Sequence, residues 1–173
     1  MTKSRRNYVK GFVLFLVPAV LFTILDQYSK LLAVRYLKNS ASLVLIDGAL
    51  SLSYLENTGA AFGILNGRQW IFVIAAAVMM LASLIISFRI DREIKTCSFV
   101  RSVLHIALGC LFAGALGNMI DRLARGCVID FIYFSLIDFP VFNVADICVT
   151  CSVAVIAVIV IFFYGDSDAG SEL

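Results

Sequence analysis

Trp70-Ile71-Phe72-Val73-Ile74-Ala75-Ala76-Ala77-Val78-Met79-Met80-Leu81-Ala82-Ser83-Leu84-Ile85-Ile86-Ser87-Phe88 carries no charge and is bracketed by Arg68 and Arg89. A helix rises about 1.5 Å per residue, so about 20 such residues cross a hydrocarbon layer about 30 Å thick. Two other runs, Val103–Ile120 and Ile147–Tyr164, have the same character. A fourth, Phe12–Leu25, reaches full length only if Asp26 and Lys30, one helical turn apart, ride at its end as a pair. Pro18 inside it requires a kink or a neighbour that satisfies the freed carbonyl. Composition agrees. The 173 residues, the length of one domain, are 61% hydrophobic and 15% charged. Soluble domains hold roughly 45–50% and about 25%. So much apolar surface cannot be hidden in a core of this size, which excludes a soluble enzyme and a disordered chain. The net charge of +2 is too small for phosphate attraction to dominate, so no nucleic-acid partner is expected.

These runs predict an all-α membrane protein, a single domain over 1–173. Spans fall at about 12–30, 69–89, 102–121 and 146–164, and outer segments at 31–68 and 122–145. The basic start resembles a signal peptide, but no small-x-small cleavage site follows, so the first span is read as retained. The N-terminus and the 89–101 connection hold eight Lys and Arg, the other face six. Three of those six, Lys30, Arg122 and Arg125, have an acid within one turn. The bias predicts both termini in the cytoplasm. In the first outer segment, Ser42–Ile46 and Ala49–Leu55 flank Asp47-Gly48, a hairpin turn signal, predicting an apolar extracytoplasmic β-hairpin at headgroup level. Gly165–Leu173 reads as a solvated acidic tail.

Acids near a bilayer are costly and are functional candidates by default. Two stand out. Asp130 is embedded in the apolar stretch Gly126-Cys127-Val128-Ile129-Asp130-Phe131-Ile132. Asp146 opens the last span, where Asn143, Asp146 and Thr150 share a helical face. Asp146 alone can be explained as a capping acid, but that leaves Asp130 unaccounted for. Two such acids brought together share a proton, one ionised to activate water and its neighbour protonated to donate to a carbonyl. On the third span, Gly109, Ala113 and Gly117 form a small-residue stripe, and Gly114, Asn118 and Arg122 an adjacent one. A packing groove with an Arg122 headgroup anchor is the simpler account of these residues alone.

Taken in order, these blocks resemble lipoprotein signal peptidase (signal peptidase II), a family of bacterial membrane aspartic endopeptidases. The resemblance covers the whole chain. It rests on Asp26-Gln27-Tyr28-Ser29-Lys30, Glu56-Asn57-Thr58-Gly59-Ala60-Ala61-Phe62-Gly63, Gly114 through Arg122, Val128-Ile129-Asp130-Phe131 and Phe142-Asn143-Val144-Ala145-Asp146. It implies cleavage of diacylglyceryl-modified prolipoproteins just before the lipidated cysteine, with Asp130 and Asp146 as the catalytic pair. Asn57, Gly59, Asn118, Arg122, Asn143 and Ala145 would surround that pair, and Asp26 and Lys30 support it. It further implies no metal or organic cofactor, membrane lipids as partners, inhibition by globomycin, and a monomer in the bacterial cytoplasmic (inner) membrane with its site on the extracytoplasmic side. The stretch between Asp130 and Asp146 is short for the family, which bears on the size of any helix there.

Other readings are weaker. A small four-helix carrier using the Asp pair as a proton relay would place its acids at mid-membrane depth. A dimerisation role for the Gly109/Ala113/Gly117 stripe competes with packing inside one bundle. His105, deep in the third span, is expected to be a buried, hydrogen-bonded histidine and too remote to serve Cys127 or Cys148 as a nucleophile. The five thiols (Cys97, Cys110, Cys127, Cys148 and Cys151), an odd number beside one histidine, predict neither a disulfide framework nor a structural metal.

Overall fold

The computed structural model describes residues 3–59, 68–93 and 97–164. Its four long helices are α1 (Lys3–Tyr36), α2 (Gln69–Glu93), α3 (Ser98–Arg125) and α4 (Val144–Tyr164). Each is long and apolar enough to cross a membrane. At about 1.5 Å per residue α1 is about 51 Å long, more than the thickness of a hydrocarbon layer, about 30 Å. The helix α3 is central. It packs against the other three, and half of its apolar window is buried, against about a fifth for each of the others. Their outward faces carry large apolar side chains such as Leu21, Ile24, Ile74, Val78, Ile161 and Phe162, the pattern expected where lipid is the solvent.

Small residues let the bundle close. A Cβ on Gly109 would lie 2.3 Å from the Phe15 carbonyl oxygen, and one on Gly117 would lie 2.4 Å from Asp26 Oδ2. The stripe therefore seats α1 on α3 within one chain, as packing predicts. Around it Phe15, Ala19, Ile90, Leu104, Leu108 and Ile159 form one core, with Phe15 edge-on to Phe112 at 5.6 Å between centroids.

The predicted hairpin is present as β1 (Leu43–Ile46) and β2 (Leu50–Asn57), and all four residues of β1 are exposed. A third strand, β3 (Val128–Phe134), extends the reading of an all-α chain with a hairpin. It pairs antiparallel with β2, giving the order β1-β2-β3. Val128-Ile129-Asp130-Phe131 does not alternate because both sides of β3 are covered there, and this hid the strand from a period-two reading. Ile129, Phe131 and Cys127 pack with Ala33 of α1 in a second core beneath the sheet. After β3 a single 3-10 turn (Ser135–Ile137) turns the chain, and Phe142 hydrogen-bonds back to Ile132 in both directions before α4 begins. The short link holds no further helix.

Residues 60–63 of the second block, and the acidic tail at 165–173, lie outside the described residues.

Candidate active site

The first turn of α4 sets one half of the site. Asn143 precedes the helix, and its Oδ1 accepts from the Asp146 amide at 3.0 Å. In return Asp146 Oδ2 accepts from the Asn143 amide at 3.2 Å. This reciprocal capping box satisfies two otherwise orphaned donors and fixes the Asp146 side chain on the helix end. The capping role is real, but it uses only one oxygen of Asp146. The other, Oδ1, accepts from Asn118 Nδ2 of α3 at 2.8 Å.

The strand β3 sets the other half. Asp130 is 1% exposed and has an amide on each oxygen. Asn57 of β2 donates to Oδ2 at 2.8 Å, and Asn143 Nδ2 donates to Oδ1 at 2.6 Å. One asparagine thus touches both acids, Asp146 through its backbone amide and side-chain oxygen, Asp130 through its side-chain nitrogen. Burial pushes the Asp130 carboxyl up to about 6. The Asn57 hydrogen bond opposes that rise, and the neighbouring charge of Asp146 adds to it.

A buried cation holds the frame. Lys30, 0% exposed, places Nζ 2.9 Å from Asp26 Oδ2, 3.0 Å from Asp121 Oδ2 and 2.9 Å from Asn118 Oδ1. Its three N–H donors have three acceptors, the condition under which a buried ammonium is tolerated. Asp26 Oδ1 accepts from the Ala145 amide at 2.9 Å, which ties α1 to the first turn of α4. Asp121 also accepts from Arg125 and from the Ile129 amide, next to Asp130. Arg122 donates to the carbonyls of Gly59 and Asn118 and lies 4.7 Å from the Phe72 ring centroid. Gly59 in turn donates its amide to Asn57 Oδ1 at 3.0 Å.

All ten residues predicted for the site therefore join one network. Thr150 does not; it is exposed on α4. Two members were not assigned from the sequence. Asp121 is 0% exposed, and its i,i+4 spacing to Arg125 and its place on α3 near Asn118 are the sequence signals that point to it. Gln27, which donates to Asp26 and to the Gly117 carbonyl, stood inside the quoted block without a role.

Gly114 lets α4 approach, since a Cβ there would lie 2.4 Å from the Ala145 carbonyl oxygen. That oxygen is backbone and cannot swing away. Gly114→Ala is expected to push the first turn of α4 off α3 and cost about 1–3 kcal/mol, as overpacking does. Activity should fall by more than the stability loss explains, because Asp146 moves with that turn. Comparing the melting temperature with the cleavage rate at a temperature where the variant is folded checks this.

His105 is buried near the other end of α3, with Ser87 Oγ 2.9 Å from its Nδ1. Cys127 and Cys148 are buried, and burial raises the Cys127 thiol, so neither is a poised nucleophile. All five described cysteines are free, and no cluster of three or more metal-ligating side chains occurs among the described residues.

Comparison with known proteins bears on this arrangement. The family profile described as signal peptidase (SPase) II matches residues 18–163. The lipoprotein signal peptidase of Brevibacillus brevis is 39% identical over 142 residues, covering 82% of this chain and 90% of the relative. That of Geobacillus thermodenitrificans is 36% identical over 162 residues, covering 92% and 96%. A solved structure described as a bacterial membrane enzyme determined by the in meso method at 2.3 Å superposes with a TM-score of 0.73 at 33% identity, covering 91% of each chain. With the profile spanning most of its length and relatives above 30% identity over four-fifths of it or more, the chain belongs to the signal peptidase II family.

Proposed function

We propose that Asp130 and Asp146 act as a proton-sharing pair that activates water for peptide-bond cleavage. The protein, as a member of its family, is an aspartic endopeptidase that removes signal peptides from prolipoproteins within a membrane. In the cycle inferred here, the ionised member takes a proton from water as the oxygen attacks the scissile carbonyl, and the protonated member donates to the carbonyl oxygen. Collapse of the tetrahedral species returns a proton to the leaving amine. The observation that carries this reading is Asn143, whose contacts tie both carboxyls into one unit. Because a coupled pair titrates together, the base is a property of the pair and not of one residue.

The remaining site residues take supporting roles. Asn57 and Asn143 orient Asp130, and Asn118 orients Asp146. Arg122 braces the Gly59 backbone, while Asp26, Lys30 and Ala145 fix the helix end that carries Asp146. The substrate carries diacylglycerol on the cysteine after the cut and arrives laterally through lipid, with the exposed apolar strand β1 lying at headgroup level beside the site. The chain acts as a monomer in the bacterial inner membrane, dyad outward and both termini cytoplasmic, and cyclic peptides of the globomycin type block the dyad. No metal or organic cofactor takes part. A synthetic diacylglyceryl lipobox peptide incubated with purified protein tests the function. Cleavage immediately before the lipidated cysteine is expected, and an intact peptide or a cut elsewhere would refute it.

The raised Asp130 value has a stability consequence. The folded protein holds this proton up to about pH 6, whereas the unfolded chain releases it near 3.8. Between those values the native state binds more protons, so stability falls as pH rises from about 4 to about 6 and then levels off. The melting temperature of the wild type, minus that of Asp130→Ala, should therefore decrease over that window. A difference that rises with pH would contradict the assigned direction.

A further inference from the structure

At the far end of the bundle from the dyad, two cavities adjoin and share Asp91 and His105 as lining residues. One, of about 270 Å³, is apolar, lined by Val9, Phe12, Phe15, Leu84 and Phe88 with Tyr8 and Ser87. The other, of about 210 Å³, is mixed, lined by polar Asn7, Lys10, Arg101, Ser98 and Ser102 beside Gly11 and Leu14. His105 lies 13 residues before Asn118 on α3, about 20 Å along the axis, so this place is separate from the active site.

Three observations give it the character of a site. His105 is 2% exposed, yet among the described residues its Nε2 has no hydrogen-bond partner, and the residue lines both cavities. Asp91 Oδ2 is 3.6 Å away, outside hydrogen-bonding range. A buried donor or acceptor left open in this way is costly unless a ligand or water meets it. Gly11 makes the room, since a Cβ there would lie 2.6 Å from His105 Nε2 and 2.7 Å from Asp91 Oδ2. The first turn of α3 borders the polar cavity at Ser98, and its N-cap, Cys97, supplies no side-chain hydrogen bond. Those first-turn amides favour an anion. Among the described lining residues, Lys10 and Arg101 outnumber the carboxylate Asp91, whose Oδ1 lies 3.7 Å from Arg101.

We propose that this junction binds a phospholipid with an anionic headgroup. Lys10, Ser98, the first-turn amides of α3 and His105 Nε2 take the phosphate, and one acyl chain enters the slot between Phe12 and Leu84. A cationic, partly polar chamber opening into an apolar one is the complement of an anionic amphiphile, and a free phosphate would leave the slot unused. Headgroup-level cations beside spanning helices bind acidic lipids for the same electrostatic reason.

Titration of the purified full-length protein in neutral detergent tests this, with binding read by native mass spectrometry. The probes are dihexanoyl phosphatidylglycerol, dihexanoyl phosphatidylcholine and inorganic phosphate. Phosphatidylglycerol should bind saturably and more tightly than either of the others. Lys10→Gln should weaken it about tenfold, as loss of a charge-assisted contact does. Leu84→Trp, which fills the slot, should weaken the lipid at least as much and leave phosphate unchanged. His105→Leu should also lose lipid, whereas peptidase activity should survive in all three variants, showing that they fold. Equal lipid affinity in the wild type and the variants would overturn the proposal. So would phosphate binding as tightly as the lipid, which would assign the polar chamber to a free anion.

Discussion

Lys30→Met is expected to cost about 3–5 kcal/mol of stability and to abolish cleavage, although Lys30 touches neither Asp130 nor Asp146. The reason is what it leaves behind. Lys30 sits with Asp26, Asp121 and Asn118 in a cluster where both acids are at most 1% exposed. Removing one partner of a buried ion pair strands the other charge away from water, which is the costly case. Asp121 keeps Arg125 and the Ile129 amide, but among the described residues Asp26 keeps neutral donors alone, Gln27 and the Ala145 amide. Asn118 Oδ1 loses the closer of its two donors and keeps Asn143 Nδ2 at 3.2 Å, so its own donor to Asp146 is held less firmly. Charge counting then makes a sharper prediction. Lys30→Met with Asp26→Asn removes one positive and one negative charge, leaving the Asp121–Arg125 pair balanced. The double variant should be more stable than the sum of the single losses, with coupling of about 1–3 kcal/mol. Chemical denaturation in detergent micelles measures all three. Additive losses would mean that the cluster does not act as one unit.

Much of this architecture could be read from residue patterns, and the rest had physical reasons to stay hidden. The uncharged run Trp70–Phe88 needs no tertiary information to be a span, because its length matches the bilayer. Asp47-Gly48 marked the hairpin because φ at Gly48 is +67°, which glycine adopts freely. The strand β3 was not legible, because burial on both sides erases alternation, and its partner β2 lies more than 70 residues earlier. Asp130 was legible for the same reason the strand was not, as an acid without polar neighbours in sequence. Capping at Asp146 was legible from helix-start chemistry, but its reciprocity with Asn143 needed coordinates. Asp121 is not legible as a site residue, because a carboxylate beside an arginine at a span end is usually a headgroup contact. Only the fold shows it turned inward onto Lys30. The cavity at His105 depends on Gly11 of α1 meeting α3, a contact between positions over 90 residues apart.

The largest expected effect belongs to the acids themselves. Asp130→Asn and Asp146→Asn should each reduce cleavage by at least about 10³-fold, the scale of lost acid–base catalysis. Neither should remove the protein from the membrane, since the core and the lipid-facing surfaces are untouched. Each substitution has a different local cost. Asp130 accepts on both oxygens, so an amide there turns one acceptor into a donor facing Asn57 or Asn143. At Asp146, Asn can keep the capping contact with the Asn143 amide through its oxygen, and it then presents nitrogen to Asn118. Both variants set one amide nitrogen against a donor, but Asp146 is only half-buried whereas Asp130 is 1% exposed, so Asp146→Asn should be the better-folded inactive variant. The pair should also be non-additive. Once one acid is gone the shared proton has no second site, so the double variant should be hardly slower than either single one. The most direct measurement is the rate at which purified wild type, Asp130→Asn and Asp146→Asn, matched for folded protein, cleave the diacylglyceryl lipobox peptide. The account predicts cleavage by the wild type alone, and a rate near wild type in either variant would contradict it.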